Sequence, residues 1–222
     1  MEKPREQDEH DEIANQNMIA GPGTGSSIRQ FVYNKDFVII VGDNGSGKTT
    51  LVRNVVTGVP KQQVYILNAS GQRWDFPKRN ITHPLLYTKE WFNSYIVKFL
   101  ATHSNCTLVL DDADNFDIKK NQYLRSLIIN ARHVSVGVVL SIRQVQDLDK
   151  LIYKQAKCYI ARQAVRWDMQ YVAKFMPEEL AYELKDLPPY TFLNYYQKTS
   201  EARLFKVDAS YARRWDSYTT RT

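Results

Sequence analysis

The sequence predicts an α/β protein with a mostly parallel sheet, helices on both faces and a C-terminal antiparallel hairpin. Three observations carry that expectation. The stretch "DFVIIVGDNGSGKTTL" at 36–51 joins an apolar run to a helical one through a glycine-rich loop. Apolar runs and helical stretches then alternate along the chain, the order that produces parallel strands with crossover helices. The last two apolar runs, "YTFLNYYQ" and "ARLFKVD", are separated only by "KTSE", which suits a turn between antiparallel strands.

The first element, "FVIIVG" at 37–42, is rich in β-branched residues and suits a buried central strand. Gly42, Gly45, Gly47, Lys48 and Thr49 follow with the spacing of a phosphate cradle: converging backbone N–H groups, a lysine charge for the β and γ phosphates, and a hydroxyl to ligate Mg²⁺. Asp43, Asn44, Ser46 and Thr50 complete the candidate nucleotide contacts. A helix over 48–58 then points its N-terminus at the anion. A second glycine-rich stretch, "GPGTGSS" at 21–27, has neither a preceding strand nor a lysine and reads as linker.

The next strand is expected at 63–68, followed by "NASGQRWDFPKRN". There Arg73, Lys78 and Arg79 stand near Trp74 and Phe76, a mixture suited either to gripping nucleic acid or to a surface loop with an aromatic anchored in the core. A helix over 89–103 leads to a strand at 106–111, within "CTLVLDDADNF". Asp111 is the candidate metal carboxylate, at the end of a strand expected beside the loop strand. Asp112 is the candidate to polarise an attacking water, with one methylene less reach than a glutamate. Alternatively Asp112, Asp114 and Asp117 are turn and N-cap residues of the next helix, the favoured reading for the last two. That helix, over 118–132, carries an apolar stripe of Leu124, Leu127, Ile128 and Ala131, with Arg125 and Arg132 one above the other beside it. These arginines either serve a neighbouring subunit's phosphate or remain solvated. Strands at 136–142 and 157–162 and a helix at 166–175 complete the alternation, and ligands belong at the carboxyl ends of the parallel strands.

Composition bounds the partners. The 222 residues are 43% hydrophobic and 12% aromatic, as in folded domains, with no apolar run of membrane-spanning length and no secretory segment. Net charge is +6, yet residues 1–12 hold six carboxylates against two cations, so the rest of the chain is more basic than the total and compatible with a polyanion. Cys106 and Cys158 lie in predicted strands and read as reduced core residues. The organisation expected is a flexible arm at 1–28, an ATPase domain at 29–207 and a basic, aromatic tail at 208–222 bearing Tyr211, Arg213, Arg214 and Trp215.

The cradle, the strand ending in Asp-Asp, "ARHVSVGVVLSIRQVQDL" and "KLIYKQAKCYIARQ" together resemble the FtsK/HerA superfamily. Within it they are most similar to the genome-packaging ATPases of membrane-containing tailless phages, archaeal viruses and nucleocytoplasmic large DNA viruses, over roughly residues 36–207. The resemblance implies a P-loop NTPase fold of the RecA-like (ASCE) kind, with ATP and Mg²⁺ as cofactors. It implies Lys48 and Thr49 as nucleotide and Mg²⁺ ligands, Asp111 on Mg²⁺, Asp112 as base and Arg132 as an arginine acting in trans. The strand ending "VVLSIRQ" would hold a polar sensor of the γ-phosphate. Ile142 stands where the family places glutamine, so Ser141, Arg143 or Gln144 takes that role; Arg143 is either a sensor or second finger or a structural residue.

As partners the resemblance implies sequence-independent double-stranded DNA, further copies of the chain in a ring, and a virion vertex or membrane protein. As location it implies the host cytoplasm during assembly or the packaging vertex. An ABC-type ATPase is disfavoured, because no Leu-Ser-Gly-Gly-Gln signature lies between the loop and Asp111. A small-molecule kinase and a nucleotide-gated assembly protein are the remaining alternatives.

Overall fold

The computed structural model describes residues 37–56 and 58–207. The arm at 1–28, the "GPGTGSS" stretch and the tail at 208–222 lie outside the described residues. One eight-stranded sheet, in the order β3-β2-β4-β5-β1-β6-β7-β8, organises the rest. Its strands are β1 (Phe37–Val41), β2 (Val64–Asn68), β3 (Ile81–Thr82), β4 (Cys106–Asp111), β5 (Val136–Ile142), β6 (Lys157–Ala161), β7 (Thr191–Tyr196) and β8 (Glu201–Lys206). The first six run parallel. β7 pairs antiparallel with β6, and β8 with β7, so the C-terminal hairpin extends the main sheet.

Each parallel strand is apolar throughout because both faces are covered. In β1, Phe37, Ile39 and Val41 face one core and Val38 and Ile40 the other, as a two-residue period requires. The second core is roofed by α1 (Lys48–Val56), through Leu51, Val52, Val55 and Val56. Opposite it lie α2 (Lys89–Thr102), α3 (Gln122–Asn130), α4 (Lys150–Tyr153), α5 (Arg166–Val172) and α6 (Glu178–Glu183). Thr88 caps α2, accepting from Trp91 N at 3.2 Å, and Asn121 caps α3, accepting from Tyr123 N and Leu124 N at 2.9 and 3.0 Å. Cys106 and Cys158 are buried and unbridged. No helix among the described residues is long and apolar enough to cross a membrane.

Two helices differ from the expected spans for backbone reasons. Asp117 and Lys120 have φ of 49° and 54°, which keeps residues 118–121 out of the helix expected over 118–132. At its other end Ala131 is the C-cap, so Arg132 falls in the following turn and does not stand above Arg125 on a helical face. The helix expected over 166–175 ends at Val172, and α6 begins only after Pro177, whose preceding residue is pushed away from helical geometry. The two-residue strand β3 and the single-turn helix α4 have too few residues to give a periodic signal.

Candidate nucleotide site

The carboxyl ends of β1, β2, β4 and β5 lie at one edge of the sheet, and the start of antiparallel β7 meets them there. Gly42 N donates to Ile142 O at 3.2 Å, tying the glycine loop to β5, and Leu51 N donates to Gly47 O at 2.9 Å as α1 begins. Gly47 is required on two counts. Its φ is +98°, and a Cβ would come within 2.6 Å of Cδ1 of Tyr190. Lys48 is only 6% exposed, and its Nζ donates to Asp43 O at 3.2 Å. Burial pulls its ammonium below the ordinary lysine range, opposed by the carboxylates of Asp112, Asp114 and Asp111.

β5 lies between β4 and β1, so Asp111 is not on a strand neighbouring the loop strand. The inserted strand supplies Ser141, whose Oγ donates to Asp111 Oδ1 at 2.9 Å and accepts from Asp112 N at 2.9 Å. The second oxygen, Asp111 Oδ2, accepts from Ser70 Oγ at 2.6 Å. Burial pushes the Asp111 carboxyl up, partly offset by these two hydroxyls. Asp112 has a left-handed backbone, φ 48° and ψ 50°, and makes no side-chain cap to the turn at Ala113–Phe116. Its Oδ1 is buried without a hydrogen-bond partner, and burial, then the charge of Asp111, push its carboxyl up. The cap of the following helix is Asn121, not Asp114 or Asp117.

A cavity of about 240 Å³ brings together Asn44, Gly45, Gly47, Lys48, Thr49, Thr50 and Asp112 from the predicted set. Asp43 and Ser46 line an adjoining groove of about 370 Å³ with Arg162, Pro188 and Pro189, and Tyr190 borders both spaces. For Mg²⁺, the Thr49 hydroxyl and the buried Asp111 carboxylate are the hard oxygen donors that suit the ion, and each Asp111 oxygen retains acceptor capacity beyond its one hydroxyl. No cluster of three or more His, Cys, Asp or Glu side chains fit for a metal occurs among the described residues. A phosphate-bound ion does not need one, because phosphates and water complete its shell.

Other predicted residues lie elsewhere. Arg143 is committed within its own chain: Nε is ion-paired with Asp114, and Nη2 donates to Asn115 Oδ1 at 2.8 Å. It braces the turn behind Asp112 and does not line the cavity. Gln144 occupies the N-cap position of the turn at Val145–Asp147 without a side-chain cap bond, and lines a groove with Gln146, Trp167 and Tyr171 rather than the cavity. Arg132 is exposed in the turn entering the amino end of β5, the opposite sheet edge from the cradle. In the segment after β2, Trp74 is 8% exposed and packs into the α1-side core, so it is an anchor and not a free stacking platform.

Sequence reasoning missed Ser70, Gln72, Arg53 and Tyr190 as site residues. Ser70 and Gln72 follow the carboxyl end of a parallel strand, where ligand contacts concentrate, and that position was the available signal. Arg53 follows Thr49 by one turn of α1, so its spacing was a signal too, whereas Tyr190 reaches the site only through tertiary packing.

The AAA domain family profile matches residues 29–152. No protein of curated function matches the sequence. Among solved structures, the genome packaging NTPase B204 from Sulfolobus turreted icosahedral virus 2, in complex with ATP-gammaS, is similar at 20% identity with a TM-score of 0.66, covering 79% of this chain and 98% of that one. The DNA-packaging ATPase B204 from Sulfolobus Turreted Icosahedral Virus is similar at 21% identity and TM-score 0.64, covering 79% and 99%. The cytoplasmic domain of the Thermomonospora curvata Type VII secretion ATPase EccC is similar at 13% identity and TM-score 0.58, covering 79% of this chain and 24% of that one. At these identities the likeness is one of fold.

Proposed function

This chain belongs to the AAA domain family, and from that premise we propose that it hydrolyses ATP to drive double-stranded DNA, as the packaging motor of a virus. The observation that carries the reading is the cavity at the sheet edge, where a buried lysine faces a carboxylate with an unpartnered oxygen, in a chain whose fold matches packaging ATPases over nearly their whole length. The domain responsible is residues 29–207, with the arm and the tail available for docking to a virion vertex or membrane protein. The sites of action are the host cytoplasm during assembly and the packaging vertex.

In this reading Gly42–Gly47 and Thr50 hold the phosphates through the loop and the first turn of α1, and Lys48 sets its charge against the β and γ phosphates. The base and ribose occupy the adjoining groove beside Pro188, Pro189 and Tyr190, since about 240 Å³ suits the phosphates alone. Thr49 and Asp111 hold Mg²⁺, whose chemistry when bound is neutralisation of phosphate charge. Ser141 and Ser70 fix the Asp111 carboxylate. Asp112 accepts a proton from the attacking water as the bond between the γ-phosphorus and the leaving ADP oxygen breaks.

Arg132 enters from the neighbouring subunit. β5 holds it roughly 20 Å from its own chain's cradle, a seven-residue strand's length, so a ring is the arrangement that brings it to a phosphate. DNA contacts are to the phosphate backbone, hence independent of sequence and weakened by salt.

The test is phosphate release from ATP with and without long duplex DNA, alongside the mass of the assembly with nucleotide bound. Stimulation by duplex in a multi-subunit particle is expected. A monomer that shows no turnover in either condition would remove the reading, and transfer of the phosphoryl group to a nucleoside would replace it with a kinase.

A further inference from the structure

We propose that Gln72 meets the γ-phosphate end of the bound nucleotide, and that the segment at 69–77 changes conformation with the loss of that phosphate. This rests on the nucleotide site proposed above and adds to it an element that reads the nucleotide's state.

The segment leaves β2 at the same sheet edge as the cradle, and three ties hold it there. Arg53 of α1, 9% exposed, donates from Nη2 to Gln72 Oε1 at 3.2 Å and to Arg73 O at 2.9 Å. Its guanidinium also lies 5.3 Å from the ring centroid of Trp74. Asn68 Nδ2 donates to Gln72 O at 2.6 Å, fixing the bend from the strand side. Ser70 ties the segment to the carboxylate assigned to the metal.

With Gln72 Oε1 engaged by Arg53, the amide nitrogen keeps its two donors for a ligand. Phosphoryl oxygens are acceptors, and Gln72 borders the cavity that also holds Lys48 and Asp112. Its side chain is exposed, and among the described residues that cavity is the ligand space it lines.

Ser70 gives the segment two states. Its Oγ is 2.6 Å from Asp111 Oδ2 and 3.0 Å from Asn68 Oδ1, but a hydroxyl carries a single proton. With Asp111 charged, and its other oxygen Oδ1 already bonded by Ser141, the charge-assisted bond from Ser70 to Oδ2 is favoured. Were the Mg²⁺ of a bound nucleotide to take up the Asp111 charge, the Ser70 hydroxyl would turn to donate to Asn68 Oδ1 instead, and the bend would re-form around Gln72. Arg73, Lys78 and Arg79 are exposed on and just beyond this bend, so its movement displaces a cationic surface.

The experiment compares wild type with Gln72→Ala and with Gln72→Glu, which keeps an acceptor for Arg53, and thermal unfolding checks that both variants keep the fold. Affinities for a non-hydrolysable ATP analogue and for ADP are measured by titration calorimetry, and backbone amide exchange of 69–77 by mass spectrometry. Wild type should prefer the triphosphate and protect 69–77 in that complex more than with ADP. Both variants should lose about tenfold or more of the preference, the worth of a hydrogen bond to a charged group, with ADP affinity kept and the differential protection gone. Unchanged preference and protection in variants that bind both nucleotides would overturn this proposal alone. A wild type that binds neither nucleotide would overturn it together with the site on which it rests.

Discussion

Asp112 sits in a left-handed backbone conformation at φ 48° with one carboxylate oxygen buried and unpartnered. Such a conformation costs a non-glycine residue about 1 kcal/mol, though aspartate tolerates it better than most. Its carboxyl is pushed up by burial and by Asp111. The sign of the linkage follows: an acid whose folded pKa lies above its unfolded value favours the fold below the unfolded value, and that advantage is lost as pH rises through the folded value. Above that folded value the ionised Asp112 therefore strains the nucleotide-free protein. Asp112→Asn should raise the thermal midpoint at pH 7.5, by less at pH 5, while phosphate release falls by about a hundredfold or more, the contribution of a positioned base. Thermal unfolding at the two pH values checks the first part. A lower midpoint at pH 7.5 would mean that the carboxylate supports the fold, contrary to its surroundings.

At the scale of elements, the turn at Ala113–Phe116 is held by Arg143, and Asp114, with a side chain only 6% exposed, receives that cation. Arg143→Ala should cost about 1–2 kcal/mol in urea unfolding, less than a fully buried pair because the arginine is 40% exposed. In an Asp114→Asn background the same substitution should cost measurably less. Equal costs in both backgrounds would show that the arginine works through something other than Asp114.

Much of this layer was legible in the sequence. β4 and β5 have the expected bounds, because strands buried on both faces are uninterrupted apolar runs. The glycine loop was legible because its chemistry is local. α3 is shorter than the span its apolar pattern predicts because the left-handed residues at Asp117 and Lys120 have no glycine to announce them. The neighbour of β1 was misplaced because strand order is set by crossover connections that no single strand encodes. Ser70, Gln72 and Tyr190 were missed as site residues for the same reason, since each meets the cradle through the sheet order; Arg53 stands one turn beyond Thr49 on α1, and that spacing was a signal the sequence did carry.

At the scale of the whole molecule, cradle and candidate trans arginine lie at opposite edges of one sheet. In the proposed ring, a site split this way would make each subunit's turnover conditional on its neighbour and so order the strokes. The formal charge of +6 supports attraction to a polyanion but carries no direction of movement. Hydrolysis stimulated by DNA would itself be compatible with a protein that grips duplex without travelling. Displacement of a third strand from a DNA triplex separates these, because only movement along the duplex strips the third strand. Wild type with ATP should release that strand well above its spontaneous rate, and Lys48→Ala, or wild type with a non-hydrolysable analogue, should not. ATP turnover by wild type on the same duplex, with the third strand leaving no faster than it does alone, would contradict the motor.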